Sequence, residues 1–513
     1  MWARISADHA QCTNRQCSHY ENCYFYRARE NIHRVDCIVT NQDLVLSDLI
    51  MGGGAVLPDP EDTIYIFDEG HHLPEKAGNH FSRFLALYST KAWLQQIPAG
   101  LKLASAEVPA IRSGLVSDIN SLTEKAIEQI DDAAQVLYLL KKDAEEQEEG
   151  WQYRFPVGRV PNDVAVVSKH LASTFECLDD VYGRLMPLIE AELETISASE
   201  REGVEYWLSS VGSISTRISA SAEVWRNFSE AEHSPPYARW LGFFSQVQAE
   251  GLEIQLSCHP VSVADEMFQR LWSRCAGAVL TSATLSVEKD FRSFQARSGI
   301  PSEMLFSSLS SPFRYKEQAV LSVPFMRTDP SEPDQHTDEI IELIPEVIEK
   351  DIGALVLFTS WRQMLRVYDE LGERFRERVL IQGEFSKMEI LNRHRAVVDS
   401  GDPSCIFGLA SFAEGVDLPG DYCRHVVIAK IPFSVPDEPV DATLSEWIEE
   451  KGGNAFYEVM LPNAAIRVVQ AAGRLLRTET DEGTVTILDR RLVSKSYGKV
   501  ILNSLPPFAR EIF

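Results

Sequence analysis

Two kinds of apolar spacing divide the chain. Short, nearly unbroken apolar runs occur at TIYIF (63–67), AGAVLT (276–281), GALVLFTS (353–360), SCIFGLAS (404–411), HVVIAKIPF (425–433) and TVTILD (484–489). Each predicts a buried strand. Beyond about residue 252, helical segments separate most of these runs, the pattern of a parallel sheet with crossover helices. DCIVTNQDLVL (36–46) reads as one more strand. Between about 76 and 250 the spacing changes. In VAVVSKHLASTFECLDDVYGRLMPLIEAELETI apolar residues recur every three or four positions, which predicts long amphipathic helices. That region carries no chemical motif and reads as an inserted helical module. SLSSPFRYKEQ (308–318), rich in Ser, is expected to link two α/β lobes.

At 513 residues the chain has room for about two to four domains. Its 44% hydrophobic and 24% charged residues are ordinary for a globular protein. No apolar run approaches the roughly 18 residues that span a bilayer. The start, MWARISADHAQCTNRQC, lacks the basic-then-apolar layout of a signal peptide. A cytoplasmic protein without membrane contact is expected. Nine cysteines without an export signal argue for reduced thiols or metal ligands rather than disulfides. A net charge of −27 argues against a surface coated in basic groups, although a narrow basic channel is compatible with it. The acidity gathers in KKDAEEQEEG (141–150) and EAELETISASEREGVE (190–205), which read as solvated faces.

The candidate chemistry lies at strand ends, where open α/β sheets bind ligands. In TIYIFDEGHHLPE (63–75) the apolar run stops at Asp68 and Glu69. An Asp there can hold Mg²⁺ and the adjacent Glu can polarise water, although a solvated turn has the same residues. His71 is available to bridge to LTSATL (280–285), whose Thr281, Ser282 and Thr284 follow another strand. PNAAIRVVQAAGRLLR (462–477) predicts a helix opened by Pro462 and Asn463, with Gln470, Arg474 and Arg477 on one face. Val468, Val469, Leu475 and Leu476 are expected to pack inward. Two guanidinium groups suit a phosphate clamp or a surface ion-pair helix, and Gly473 suggests a close approach. GLASFAEGVDLPG (408–420) places Glu414, Gly415 and Asp417 in a tight loop able to touch ribose or phosphate. Ser360 and Lys430, at other strand ends, are placed to contact a nucleic-acid backbone. Cys12, Cys17 and Cys23 fit either a zinc site or an iron–sulfur cluster.

Taken in order, DEGHH, LTSATL, the FTS strand, SFAEGVDLPG, QAAGRLLR and ILDRR resemble the motifs of superfamily 2 helicases of the XPD/DinG iron–sulfur family. CTNRQCSHYENC followed by VTNQDLVL and VLPDP resembles the bacterial DinG branch, from about Trp2 to the C-terminus. The resemblance implies an α/β fold of two RecA-like lobes, the first N-terminally truncated, with an inserted helical arch and a short cysteine-rich element. The implied segments are 1–30 for a partial cluster element and 31–75 for part of lobe 1. Residues 76–251 would form the arch, 252–307 the remainder of lobe 1 and 308–513 lobe 2. Asp68 would bind Mg²⁺, Glu69 would activate water, and His71 would couple ATP state to Ser282 and Thr284. Arg474 and Arg477 would reach the nucleotide with Gln470 beside them, and Glu414, Gly415, Asp417 and Gly473 would line it. Asn41, Ser360 and Lys430 would contact nucleic acid. Cys12, Cys17 and Cys23 would supply three of the four thiolates of a [4Fe–4S] cluster, with Cys37 a poor fourth because its segment reads as a buried strand.

The implied activity is ATP-driven 5′-to-3′ unwinding of DNA by a monomer, on single-stranded or forked duplex substrates and on RNA–DNA hybrids. One element of the family pattern is missing. No G-x-x-x-x-G-K-[ST] stretch occurs in the sequence; GGGAVLP (52–58) lacks the Lys and YGKV (497–500) the leading glycines. The expectation is a chain that begins after the phosphate loop and the fourth cysteine, and that turns over little ATP alone. The alternative is a non-catalytic, nucleic-acid-binding remnant.

Overall fold

The apolar run TIYIF becomes β1 (Ile64–Phe67), but it is not the buried strand expected: Tyr65 and Phe67 are buried while Ile64 and Ile66 stay exposed. The computed structural model describes residues 20–109, 111–147, 150–193, 201–245, 252–286, 290–349, 351–409, 412, 415–434 and 438–513. It divides into two units. The first comprises Met1–Thr281 with Ala296–Ser302, the second Ser282–Gln295 with Glu303–Phe513. Among the described residues no helix is long and apolar enough to cross a membrane.

Unit 1 begins with a departure from the sequence expectation. DCIVTNQDLVL is not a strand: residues Gln42–Ile50 form α1. Asn41 accepts the Leu44 N–H through Oδ1 at 2.9 Å, a helix N-cap that starts the turn. Val45, Leu46 and Leu49 then share the buried face at helical spacing. Cys37 lies exposed on the irregular segment before the cap, so burial in a strand no longer argues against it as a ligand.

α2 (Leu73–Phe81) follows β1, and β2 (Arg83–Ala86) opens the inserted module. Its long helices are α3 (Ser113–Leu139), α4 (Asn162–Leu193) and α5 (Arg201–Ser229). The module is not purely helical as expected. β3 (Glu145–Gln147), β4 (Gly150–Arg154), β5 (Tyr237–Ser245) and β6 (Leu252–Pro260) join β2 in an antiparallel sheet of order β2-β6-β5-β4-β3. Trp225, Phe155, Phe175, Phe228 and Phe243 are fully buried in the core that sheet and helices share. β6 pairs with β5 from Leu252 to Pro260, so the βα alternation resumes after Pro260 rather than at 252. β7 (Gly277–Leu280) then lies parallel to β1, with Ile64 opposite Gly277 and Phe67 opposite Leu280.

Unit 2 carries the wholly parallel sheet that the later apolar runs predict. Its strands are β8 (Ala319–Val323), β9 (Gly353–Phe358), β10 (Val379–Ile381), β11 (Ser404–Leu409), β12 (His425–Ile428), β13 (Gly483–Ile487) and β14 (Ala509–Ile512). They stand in the order β10-β11-β9-β12-β13-β8-β14. Alternate residues face opposite sides: Leu355 and Leu357 enter one apolar cluster, Ala354, Val356 and Phe358 the other. Both faces are therefore covered, as parallel sheets require. Crossover helices include α6 (Pro333–Val347), α7 (Trp361–Glu370), α8 (Lys387–Asp399) and α9 (Leu461–Ala472). The expected linker, 308–318, belongs to unit 2, where Gln318 Nε2 donates to the Asp481 carbonyl at 3.0 Å. Ser282 and Thr284 also group with unit 2 rather than with lobe 1 as expected.

Candidate nucleotide site

The acid turn of unit 1 is held from three sides. The β1–β7 ladder runs on past the strands: Thr281 N–H donates to the Phe67 carbonyl at 2.8 Å, and Gly70 N–H to the Thr281 carbonyl at 2.9 Å. Gln42 Nε2, from the start of α1, donates to the Asp68 carbonyl at 2.8 Å. Asp68 Oδ1 accepts the Thr281 hydroxyl at 3.1 Å and the Glu69 N–H at 3.0 Å. These contacts fix a backbone that a side chain resists. Glu69 has φ +48° and ψ +44°, a left-handed conformation that costs a residue with a Cβ about 1–3 kcal/mol. Gly70 follows without a side chain because a Cβ there would meet Leu280 Cβ at 3.1 Å.

The turn presents Glu69 to solvent, its carboxylate 61% exposed, with His71 Nδ1 3.3 Å from Oε2. Burial, joined by the adjacent His72, drives the His71 pKa down to about 4 despite the opposing pull of Glu69. His71 is therefore neutral at pH 7 and brings hydrogen-bonding capacity but no charge to the turn. Asp68 commits one carboxylate oxygen to the turn and keeps the other, a hard donor of the kind Mg²⁺ takes.

In unit 2 the arginines are placed differently from the sequence expectation. α9 stops at Ala472, with Gly473 as its C-cap, so Arg474 and Arg477 do not extend a helical face shared with Gln470. Beyond the helix the chain is held by Asp481, which is 3% exposed and accepts the N–H groups of Arg477 at 2.8 Å and Thr478 at 2.9 Å. It also takes the Gly420 N–H at 3.1 Å and the Thr478 hydroxyl. A carboxylate thus replaces the helix carbonyls as acceptor, and the chain turns away. Burial opposes the charge, but these donors hold the Asp481 pKa below its usual value. Gly473 keeps helical φ, and a Cβ there would meet only carbonyls of its own helix, Val469 O at 3.3 Å and Gln470 O at 3.5 Å. The close approach expected at this glycine is absent among the described residues.

Past the helix end, both guanidinium groups meet the 415–420 loop. Arg474 Nη1 donates to the Val416 carbonyl at 3.2 Å, and Arg477 Nε to Asp417 Oδ1 at 2.8 Å. Gly415 turns the loop with φ +68°. Gln470 Nε2 donates to Thr284 Oγ1 at 3.2 Å, and Ser282 Oγ accepts the Thr284 N–H at 3.1 Å. Val468, Leu475 and Leu476 are buried and Val469 half-buried.

Asp481 has no role in the sequence reading. Its one signal is its place in RTETDEGT, an acid two residues before Gly483 opens β13. Asp489 of ILDRR is the second such residue. Fully buried, it accepts the Ile431 N–H at 2.9 Å and forks with Arg491, Nη2 to Oδ2 at 2.7 Å. It thereby ties the ends of β12 and β13 together. Beside it Lys430 is half-buried, and desolvation lowers its pKa. Asn41 and Ser360 both use side-chain oxygens as helix caps, Ser360 Oγ accepting the Gln363 N–H at 3.3 Å. Cys12, Cys17 and Glu414 lie outside the described residues. Cys23, half-buried, occupies the position just before the helix Tyr24–Asn31, and its side chain makes no capping bond. Among the described residues no three His, Cys, Asp or Glu side chains are grouped to hold a metal.

Comparison with known proteins places these motifs in a lineage. Residues 344–508 match the helicase C-terminal domain family. The chain is 34% identical to the ATP-dependent DNA helicase DinG of Photobacterium profundum, covering 100% of this chain and 74% of that protein. Against the ATP-dependent DNA helicase DinG of Escherichia coli K12 the identity is 32%, over 100% of this chain and 71% of that one. Among solved structures, that of S. tokodaii Xpd4 aligns with 91% of this chain and 79% of its own, at 13% identity and a TM-score of 0.46. About one third identity along its whole length to these proteins makes the chain a member of the DinG family of ATP-dependent DNA helicases.

Proposed function

We propose that the chain works as a DinG-type helicase whose Asp68 turn serves the hydrolytic step and whose arginines serve the phosphates. The observation that carries this reading is the strained Glu69, held left-handed by contacts from β7 and α1 and exposed beside neutral His71. Strain maintained by surrounding hydrogen bonds marks functional turns. Asp68 would hold Mg²⁺ through its remaining oxygen, and the ion would neutralise charge developing on the phosphates. Glu69 accepts the proton of an attacking water, and His71 orients Glu69 without adding charge. Arg477 and Arg474, steadied by Asp417 and the Val416 carbonyl, donate forked hydrogen bonds to phosphate oxygens. Gln470 and Thr284 relay nucleotide state.

The natural substrate in this reading is single-stranded or forked DNA, including RNA-paired strands, unwound 5′ to 3′ by a cytoplasmic monomer. Asn41, Ser360 and Lys430 donate to its backbone, and Gly415 and Gly473 flank the nucleotide. The module between about residues 76 and 260 corresponds to the family's arch. Cys12, Cys17 and Cys23 would supply three of the four thiolates of a [4Fe–4S] cluster. With three of the four, wild-type chain purified without oxygen is expected to carry an incomplete, labile iron site whose visible absorbance Cys23→Ser loses; equal, non-zero iron in both would reject Cys23 as a ligand.

The hydrolytic assignment is tested by comparing wild type with Glu69→Gln under single-turnover conditions with single-stranded DNA. Because no G-x-x-x-x-G-K-[ST] stretch occurs in these 513 residues, the wild-type rate is expected to be low. What remains should fall at least about tenfold in the variant. A rate unchanged by the substitution would remove Glu69 from the mechanism. A wild-type chain with no DNA-stimulated rate would favour the nucleic-acid-binding alternative.

A further inference from the structure

Two aromatic rings stand exposed on unit 2 in positions that the surrounding backbone fixes. Trp361, the first residue of α7, is 44% exposed, and Phe385, in the loop after β10, is 39% exposed. Gly383 lies between β10 and Phe385 with φ +100°, and a Cβ there would stand 3.3 Å from Trp361 Cη2 and Cζ3. The indole therefore rests against bare backbone at a position that also needs a left-handed residue. Gln382 anchors the loop to β11, its N–H donating to the Phe407 carbonyl at 2.9 Å and its Oε1 accepting the Leu409 N–H at 2.8 Å. The Arg393 guanidinium sits 3.8 Å from the Phe385 ring centre, and Glu389 holds Arg393 Nε at 2.7 Å. Leu365 and Met388 extend the exposed apolar surface.

The chemistry of the patch selects its occupant. It lies at the carboxyl ends of β9 and β10, the edge at which open α/β sheets take ligands. Of its cations Arg393 is paired with Glu389, and the largely exposed Arg362 has Asp334 at 3.7 Å. What it offers is two pre-positioned π surfaces, one backed by a guanidinium, which suit unpaired bases of any sequence. We propose that Trp361 and Phe385 form a base-stacking platform for single-stranded nucleic acid. The proposal rests on the nucleic-acid-binding reading and deepens it: this surface grips bases, whereas strand-end polar groups grip the backbone.

The test is fluorescence anisotropy with a labelled oligo-dT and an abasic strand of the same length. Trp361→Ala and Phe385→Ala are each expected to weaken oligo-dT binding about 5- to 100-fold, and Trp361→Phe to restore most of it. Binding to the abasic strand, and the salt dependence of oligo-dT binding, should not change. Unaltered oligo-dT affinity in both alanine variants would overturn the platform. So would equal losses on the abasic strand, or a wild-type dimer that Trp361→Ala dissociates in sedimentation. Should Trp361→Ala fail to match the wild-type denaturation midpoint, Phe385→Ala decides. A wild type that binds neither strand rejects the nucleic-acid reading itself; wild-type binding with unaffected variants rejects only the platform.

Discussion

Replacing Asp489 with alanine is expected to lower the stability of unit 2 by about 3–5 kcal/mol, read as a reduced urea midpoint. The carboxylate is fully buried and does two things at once. It accepts the Ile431 N–H at the end of β12 and neutralises Arg491 in a forked pair. Removing it strands a buried amide and leaves a mostly buried guanidinium without its partner. Asp489→Asn should recover part of the loss, since its carbonyl oxygen still serves Ile431. Adding Arg491→Met to Asp489→Ala should also recover part, because the unpaired charge is then gone. A loss under about 1 kcal/mol for Asp489→Ala would mean that water reaches Arg491 and the join carries little.

Asp481→Ala should be comparably damaging, at about 3 kcal/mol or more, because it abandons four donors together. Its functional effect is separable from the structural one. Asp481 holds the backbone of Arg477, so the variant should weaken fluorescent-nucleotide binding by about as much as Arg477→Ala. The double variant should then bind no worse than either single one. Additive losses would show that Asp481 and Arg477 act independently, and that the carboxylate only stabilises the turn.

These two acids mark the limit of what the sequence discloses. The parallel strands of unit 2 were legible because β9 and β12 are buried on both faces and leave continuous apolar runs. The acid turn was legible because TIYIF stops abruptly at Asp68. DCIVTNQDLVL misled because a short apolar run fits strand and helix alike, and the Asn41 cap that decides between them is one polar residue inside it. The antiparallel sheet of the inserted module escaped in part because β3 and β4 are short and β2 meets β6 only across nearly the whole module. The reach of α9 was overestimated for a related reason. QAAGRLLR continues a helical pattern, and only the folded position of Asp481 shows where the backbone amides find another acceptor. Spacing reports which faces are apolar; it does not report which carboxylate a distant turn will bury.

The pairing of β1 with β7 has a consequence for how the protein assembles as it is made. Asp68 and the Thr281 hydroxyl that holds it are 213 residues apart in the chain. During synthesis the acid turn has Gln42 of α1 at hand, but it lacks its β7 partners until that whole stretch has emerged. A random coil of that length would make the meeting slow, since long-range pairing must first overcome loop entropy. The inserted module removes most of that delay. Its first and last strands are neighbours, Arg83 opposite Cys258, so once folded it returns the chain close to where it left. For the ribosome-bound chain the intervening stretch then behaves as a short tether, and the turn can close soon after β7 appears.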